Sequence, residues 1–303
     1  MRLLPSLWLA GVLLASSASS AEPALPNQTD IDLWQRVGQA MTSVQQMRYT
    51  LVKQERLFPD DASMAPQETF LVKFRKPYDI YFDVINGPNN GRHYLYRQGW
   101  PYLKVHVFGR ALQWLVPKIP PISSLALNGN HHAITDAGYD NTVNLVKESL
   151  YRSLHEYEKN PSAAVIQIDP VKEVVDDGVP SYYYRSVNPE IFRNYTVTAS
   201  DKTVFDIASK VGCHPYLLIY YNANKVRKYD DIRAGEQLRY PLYYGKVTEF
   251  WVDKSSLLLR HIRVTDFFNK LYEEYEYKDI YTDASAGLTD RDFDPSNPEY
   301  GGF

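Results

Sequence analysis

Between positions 34 and 47 apolar residues return at helical spacing: Trp34, Val37, Met41, Val44 and Met47. This period predicts a helix with one apolar face, which must pack against something. Thr29 or Asp30 can cap it, and Asp32 falls in its first turn. The period then drops to two. "RYTLVKQERL" reads as a strand, and Phe70, Val72 and Phe74 alternate with Leu71, Lys73 and Arg75. Beyond Pro77, Tyr78, Ile80, Phe82 and Val84 alternate with Asp79, Tyr81 and Asp83. "GPNNG" is a turn by composition, and "RHYLYRQ" and "YLKVHVF" add two strands before "LQWLVPKIPP" ends in prolines. Short spacing and turn residues predict an antiparallel meander.

The helical period returns with Val143, Val146, Leu150 and Leu154, where Asp140 or Asn141 can act as the cap. "AAVIQIDP" and "VPSYYYRSV" are strands again. Near the end, "KVTEFWVDKSS", "LLLRHIRVTDFF" and "LYEEYEYKDI" predict three more, the first two joined as a hairpin with Lys254, Ser255 and Ser256 at its tip. The tail is polar, with Phe293 and Phe303 as anchors. A long sheet with two amphipathic helices must bury one face against them, which makes the fold class α+β.

One stretch breaks this order. Residues 195–241 begin and end as short strands, "YTV" and "QLRYP", with two helices between. Val204, Ile207, Ala208 and Val211 form one helix face that stops at Gly212; Pro215 opens the second helix and Asn222 stops it. With Tyr195, Val197, Thr203, Leu218, Ile232, Gly235, Gln237, Leu238 and Pro241 in order, this βααβ unit resembles a LysM domain. LysM modules bind N-acetylglucosamine polymers, chiefly peptidoglycan, in a shallow groove between the loop after the first strand and the loop before the last. The resemblance implies a glycan site with Asp201, Lys202, Thr203 and Val204 on one wall and Tyr229, Asp230, Asp231 and Ile232 on the other. Tyr229 is expected in an exposed loop, packed against a pyranose ring. "ASDKTV" departs from the usual Ser-Gly-Asp-Thr-Leu run by lacking its glycine, which leaves a LysM-shaped docking module as the alternative.

The host segments "RYTLVKQER", "FLVKFRKPYDIYF", "GRHYLY", "ITDAGY", "FWVDKSSLLLRHIRV" and "LTDRDFDPSNPEYGGF" resemble an uncharacterised family of exported bacterial proteins similar to the periplasmic lipoprotein-carrier superfamily. That resemblance implies a curved antiparallel half-barrel with helices on its concave face, and an apolar cavity able to take acyl chains. Trp34, Val37, Met41, Val44, Phe70, Val72 and Phe74 are the expected lining. A packed core is the other outcome open to the same pattern. The expected organisation is a signal peptide over 1–21, a flexible leader over 22–29, a half-barrel domain over 30–192 and 244–303, and a LysM-like domain inserted at 193–243.

The opening 21 residues carry Arg2, an apolar run from Leu3 to Ala15, and small residues at Ser19 and Ala21, the order of an export signal. That run is too short to span a bilayer, so the expected location is the periplasm, without a membrane span. With a net charge of −3 over 303 residues, nothing suggests nucleic-acid binding, and no nucleic-acid partner is expected. The single cysteine, Cys213, cannot form an internal disulfide and reads as a structural thiol. Tyrosines outnumber phenylalanines 25 to 12, as suits a wide sheet with one wet face or a carbohydrate-binding surface.

The seven histidines are scattered apart from the His131-His132 pair, which reads as a structural turn element. No Cys/His spacing marks a metal site, so no metal or cofactor is expected. Glu274 and Glu276 read as a solvated strand face. Glu249 and Asp253 are a carboxylate pair on paper, but nothing marks them out as glycosidase residues, and no catalytic residue is assigned. Three functions fit: a non-enzymatic envelope protein that binds peptidoglycan through the insert and a lipid, lipoprotein or protein through the half-barrel; a lipid or lipoprotein carrier whose insert docks a protein; and a murein-modifying enzyme.

Overall fold

The computed structural model describes residues 28–107, 118–127 and 129–300. The expected signal peptide, leader residues 22–27, "LQWLVP" at 112–117 and Phe303 lie outside the described residues. Helix α1 (Gln28–Ser43) leads into β1 (Gln46–Glu55), β2 (Glu68–Arg75), β3 (Asp79–Asn86), β4 (Arg92–Tyr96), β5 (Leu103–Val107) and β6 (Lys118–Ile119). Helix α2 (Tyr139–Lys159) precedes β7 (Gln167–Ile168), β8 (Lys172–Asp176) and β9 (Val179–Val187). The interrupting unit is β10 (Phe192–Thr196), α3 (Val204–Val211), α4 (Pro215–Tyr220) and β11 (Gln237–Pro241). The last strands are β12 (Val247–Asp253), β13 (Leu259–Thr265) and β14 (Leu271–Thr282).

Among the described residues, twelve strands form one antiparallel sheet in the order β6-β5-β4-β3-β2-β1-β14-β13-β12-β9, with β7 and β8 both paired to the outer edge of β9. The sheet is curved and does not close, giving the α+β half-barrel. The first long strand lies beside the last, with Leu51 opposite Tyr277. Strands on either side of the βααβ unit are neighbours, with Val247 opposite Val187. The unit is therefore a side excursion between adjacent strands of the large sheet. Among the described residues its own strands pair with each other alone, Tyr195 opposite Leu238.

The period-2 pattern decides which face is buried. Phe70, Val72 and Phe74 are buried on the helix-covered face, while Leu71 between them is exposed. Val37 and Met41 of α1 are buried against that face. Each fully buried side chain of this size contributes roughly 1.5–3 kcal/mol. The opposite face is less wet than expected. The tail brings Phe293 and Tyr300 over Tyr81 and Leu95, with the Tyr81 and Tyr300 rings stacked at 3.9 Å. Lys73 Nζ, also on this side, reaches Asp292 at 2.7 Å.

Helix starts differ slightly from expectation. Thr29 and Asp30 lie inside the first turn of α1, where Asp30 accepts a hydrogen bond from Val171 N at 3.2 Å. Asp140 and Asn141 lie inside α2, whose cap is Gly138 at φ 85°. A Cβ at Gly138 would stand 2.8 Å from the Phe74 ring, so the helix start packs directly on β2. In the insert, Gly212 ends α3 in the left-handed conformation and Pro215 opens α4. Asn222 Nδ2 donates to Leu218 O and Arg239 O, and Asn222 Oδ1 accepts from Arg239 N, which fastens α4 to β11.

Candidate functional site

The helices do not fill the concave side of the sheet. A cavity of about 670 Å³ remains between α1, α2 and the strands. Trp34, Val37 and Met41 line it from α1 and Phe70 from β2. The stripe Val143, Val146 and Leu150 lines it from α2, which explains why two of those three are only half-buried. Val44, Val72 and Phe74 do not line it. Val44 sits in the short link from α1 to β1, and Tyr49 and Met47 pair with Val72 and Phe74 where that link closes onto the strands. These three are packed core.

Part of the cavity wall is polar. Lys53, Glu55, Glu68, Asn130, His132, Glu273, Tyr244 and Tyr275 all contribute to its wall. They arrive there because alternation on β14 sends Glu273 and Tyr275 inward, while Glu274 and Glu276 point outward to His261, Arg263 and Lys278. Glu273 Oε2 accepts from Tyr244 OH at 2.8 Å, and His131 Nδ1 stands 2.9 Å from the same oxygen. His131 Nε2 meets the Arg56 carbonyl at 2.9 Å. Glu55 takes the Tyr275 hydroxyl, the His131 amide at 3.2 Å and Lys53 Nζ at 3.3 Å. Lys53 also lies 3.7 Å from Glu68.

The electrostatics follow from this density of partners. Burial alone would push the Glu273 carboxyl up, but His132 and His131 outweigh it and hold it well below the usual range. Glu55 moves in the same direction, Lys53 and His131 overriding its burial. Burial disfavours charge on His132, yet Glu273 and Asp136 raise it to about 10. His214 is pushed down to about 3 by burial and then by the charge of His132. Burial raises the Cys213 thiol to about 12, as suits a structural residue rather than a nucleophile.

None of this cluster was apparent in the sequence except the His131-His132 pair. Its members come from β1, β2, the segment before α2, the α3–α4 turn, the link between β11 and β12, and β14, and no local spacing joins them. Two groups among the described residues bring three potential metal donors together: Glu55, His131 and Glu273, and His132, Asp136 and His214. The carboxylates that make a pair on paper do not face across a cleft. Glu249 and Asp253 lie along one strand; Glu249 accepts from Tyr183 OH at 2.6 Å and Asp253 binds the amides of the hairpin tip.

The expected glycan groove is altered at both walls. Tyr229 is not exposed: it is 4% accessible, and its ring stacks on Phe205 at 4.6 Å. The reason is apolar burial against α3 and Tyr216. Asp201 and Val204 are buried too. Asp201 Oδ2 accepts from Thr198 N at 2.7 Å and Tyr195 OH at 3.2 Å, so it shapes its own loop. Val204 N donates to Tyr229 O at 2.8 Å and ties the two walls together. Lys202, Asp230 and Asp231 are exposed, and Thr203 and Ile232 half-buried. The second loop leans on the host: Arg227 lies over the Phe58 ring at 4.6 Å, and Ser124 Oγ donates to Asp230 at 3.2 Å.

An open antiparallel half-barrel with helices and a cavity on its concave side is thus the class of structure this chain forms. The chain belongs to the family described as protein of unknown function (DUF1571), whose sequence pattern matches residues 44–209. No curated protein matches the sequence. Among solved structures it is similar to a DUF1329 family protein from Desulfovibrio piger, at 14% identity and TM-score 0.37, covering 89% of this chain and 98% of that one. It is similar to LprF from Mycobacterium bovis at 9% identity and TM-score 0.39, covering 87% and 96%. A LolA superfamily protein from Nitrosomonas europaea matches at 9% identity and TM-score 0.32, covering 89% and 98%.

Proposed function

We propose that this protein is a non-enzymatic carrier or receptor of the bacterial envelope that holds an acyl-chain ligand, a lipid or a lipoprotein's lipid, in the cavity under α1 and α2. The cavity carries the reading: about 670 Å³, lined by apolar side chains of both helices and the sheet, with a polar cluster around Glu55 and Glu273 in its wall. That volume lies within the span of small-molecule sites. Each methylene buried there adds about 0.8 kcal/mol, and the polar cluster suits a headgroup. The export-type leader supports a periplasmic location. The test is native mass spectrometry of protein exported to the periplasm, followed by displacement of a bound hydrophobic dye with a fatty acid. A ligand-free protein that takes up no dye in its native state would overturn the reading.

A second reading concerns the insert. Its two loops stand side by side, with Lys202, Asp230 and Asp231 exposed, so the LysM-like unit can still bind peptidoglycan through those side chains. Its affinity would be weak, because Tyr229 is withdrawn and little area remains to bury. The lean of loop 224–233 on the host supports docking instead. Titration of the full chain with chitin oligomers separates the two: NMR shifts confined to 199–204 and 224–233 support glycan binding, and no shifts at millimolar sugar leave docking.

A further inference from the structure

The turn between α3 and α4 brings His214 to the segment just before α2. There the His132 and His214 rings have centroids 4.9 Å apart, and His132 Nδ1 lies 3.6 Å from Asp136 Oδ2. One donor atom from each of His132, Asp136 and His214 lies within 4.8 Å of the other two. Both Nδ1 atoms are buried, and neither has a hydrogen-bond partner among the described residues. His132 Nδ1 has only the Asp136 carboxylate at ion-pair range and His214 Nδ1 has no partner among the described residues, which is costly unless something sits between the three groups.

We propose that His132, Asp136 and His214 bind a divalent transition-metal ion, with zinc the best match to the donor set. Two imidazoles and a carboxylate are a recognised zinc set that leaves a fourth position for water or a ligand group. The surroundings orient the first donor: His132 Nε2 is 2.9 Å from Tyr244 OH and 3.4 Å from Glu273 Oε2, which leaves Nδ1 facing Asp136. Such outer partners fix a ligating ring. The neighbouring group of Glu55, His131 and Glu273 is a poor competitor, because hydrogen bonds from Tyr275, Tyr244 and Lys53 already fill it and both His131 nitrogens are engaged. An ion pair between a protonated His132 and Asp136 is the alternative, and it leaves His214 Nδ1 without a partner. The metal would tie the half-barrel to its insert, since Asp136 and His132 come from one and His214 from the other. Asp136 and His132 also line the cavity, so the fourth position can face a bound headgroup.

The test uses the full mature chain without a polyhistidine tag, stripped with chelator. Titration with Co²⁺ should give visible absorption bands that saturate at one equivalent, and Zn²⁺ should displace the Co²⁺. Asp136→Asn and His214→Ala should each weaken Zn²⁺ binding by about tenfold or more, while His155→Ala, at an exposed position on α2, should not. Zn²⁺ should raise the melting temperature of the wild type and not of His214→Ala. Asp136→Asn keeps the side chain's shape and carries the test if His214→Ala does not fold. The site is overturned if the wild type binds no stoichiometric Co²⁺ or Zn²⁺, or if it binds one equivalent with unchanged affinity in these variants.

Discussion

The ring of Tyr229 lies face to face with Phe205, 4.6 Å between centroids and 6° between planes. Its hydroxyl is buried without a hydrogen-bond partner among the described residues. The ring therefore stabilises the insert while the oxygen opposes it. Tyr229→Ala should cost about 3–5 kcal/mol in urea unfolding. Tyr229→Phe should be neutral or stabilising, because it removes an unsatisfied buried hydroxyl. A large loss with phenylalanine would mean that the hydroxyl has a partner.

Asp201 gives a pH signature. The Lys210 ammonium, with donors from Thr198 and Tyr195, holds its carboxyl well below the usual carboxylate range. A group depressed on folding contributes stability above its unfolded pKa, about 3.9, and that contribution fades as pH falls below it. Asp201→Asn should thus lower the urea midpoint at pH 7, and the difference from wild type should shrink toward pH 3. A difference that stays constant from pH 7 to pH 3 would assign the loss to shape instead of charge.

The insert is fastened to the sheet by buried polar contacts. Tyr220 OH donates to Asp266 at 2.6 Å, and Tyr216 OH donates to Leu57 O at 2.7 Å. Residues of α3 and α4 share one apolar cluster with the large sheet. Tyr220→Phe leaves the buried Asp266 short of a donor and should cost about 1–3 kcal/mol. It should lower a single unfolding transition seen alike by tryptophan fluorescence, which reports the half-barrel, and by far-UV dichroism. Two separate transitions, with only the dichroism-detected one shifted, would show that the insert folds on its own.

Periodicity made most of the scaffold legible. Alternation placed Phe70, Val72 and Phe74 on one face, and helical spacing placed Val37 and Met41 opposite them, because both patterns are local. Gly212 and Pro215 marked the helix ends for the same reason. The cavity wall was legible only in part: spacing cannot tell that the helix-to-strand link closes over Val44 while Met41, one turn earlier, faces open space. Of the polar cluster only the adjacent His131-His132 pair stood out, since Lys53, His131, His214 and Glu273 meet only through sheet closure and the insert's return. Tyr229 misled because a polar loop sequence conceals a ring that Phe205 covers.

Gly38 is the position that tests most directly whether the cavity binds an acyl ligand. It lies mid-helix in α1 and lines the cavity, and a Cβ added there meets none of the described residues within 4 Å. Leucine at this position would project into the cavity, and replacing a mid-helix glycine favours the helix by up to about 1 kcal/mol. The measurement is a fatty-acid titration of wild type and Gly38→Leu, each monitored for melting temperature. Gly38→Leu should melt at or above the wild-type temperature and bind at least about tenfold more weakly, a loss of about 1.4 kcal/mol. Equal affinity in a well-folded Gly38→Leu would contradict binding in the cavity, because the ligand would then be bound somewhere other than beneath α1.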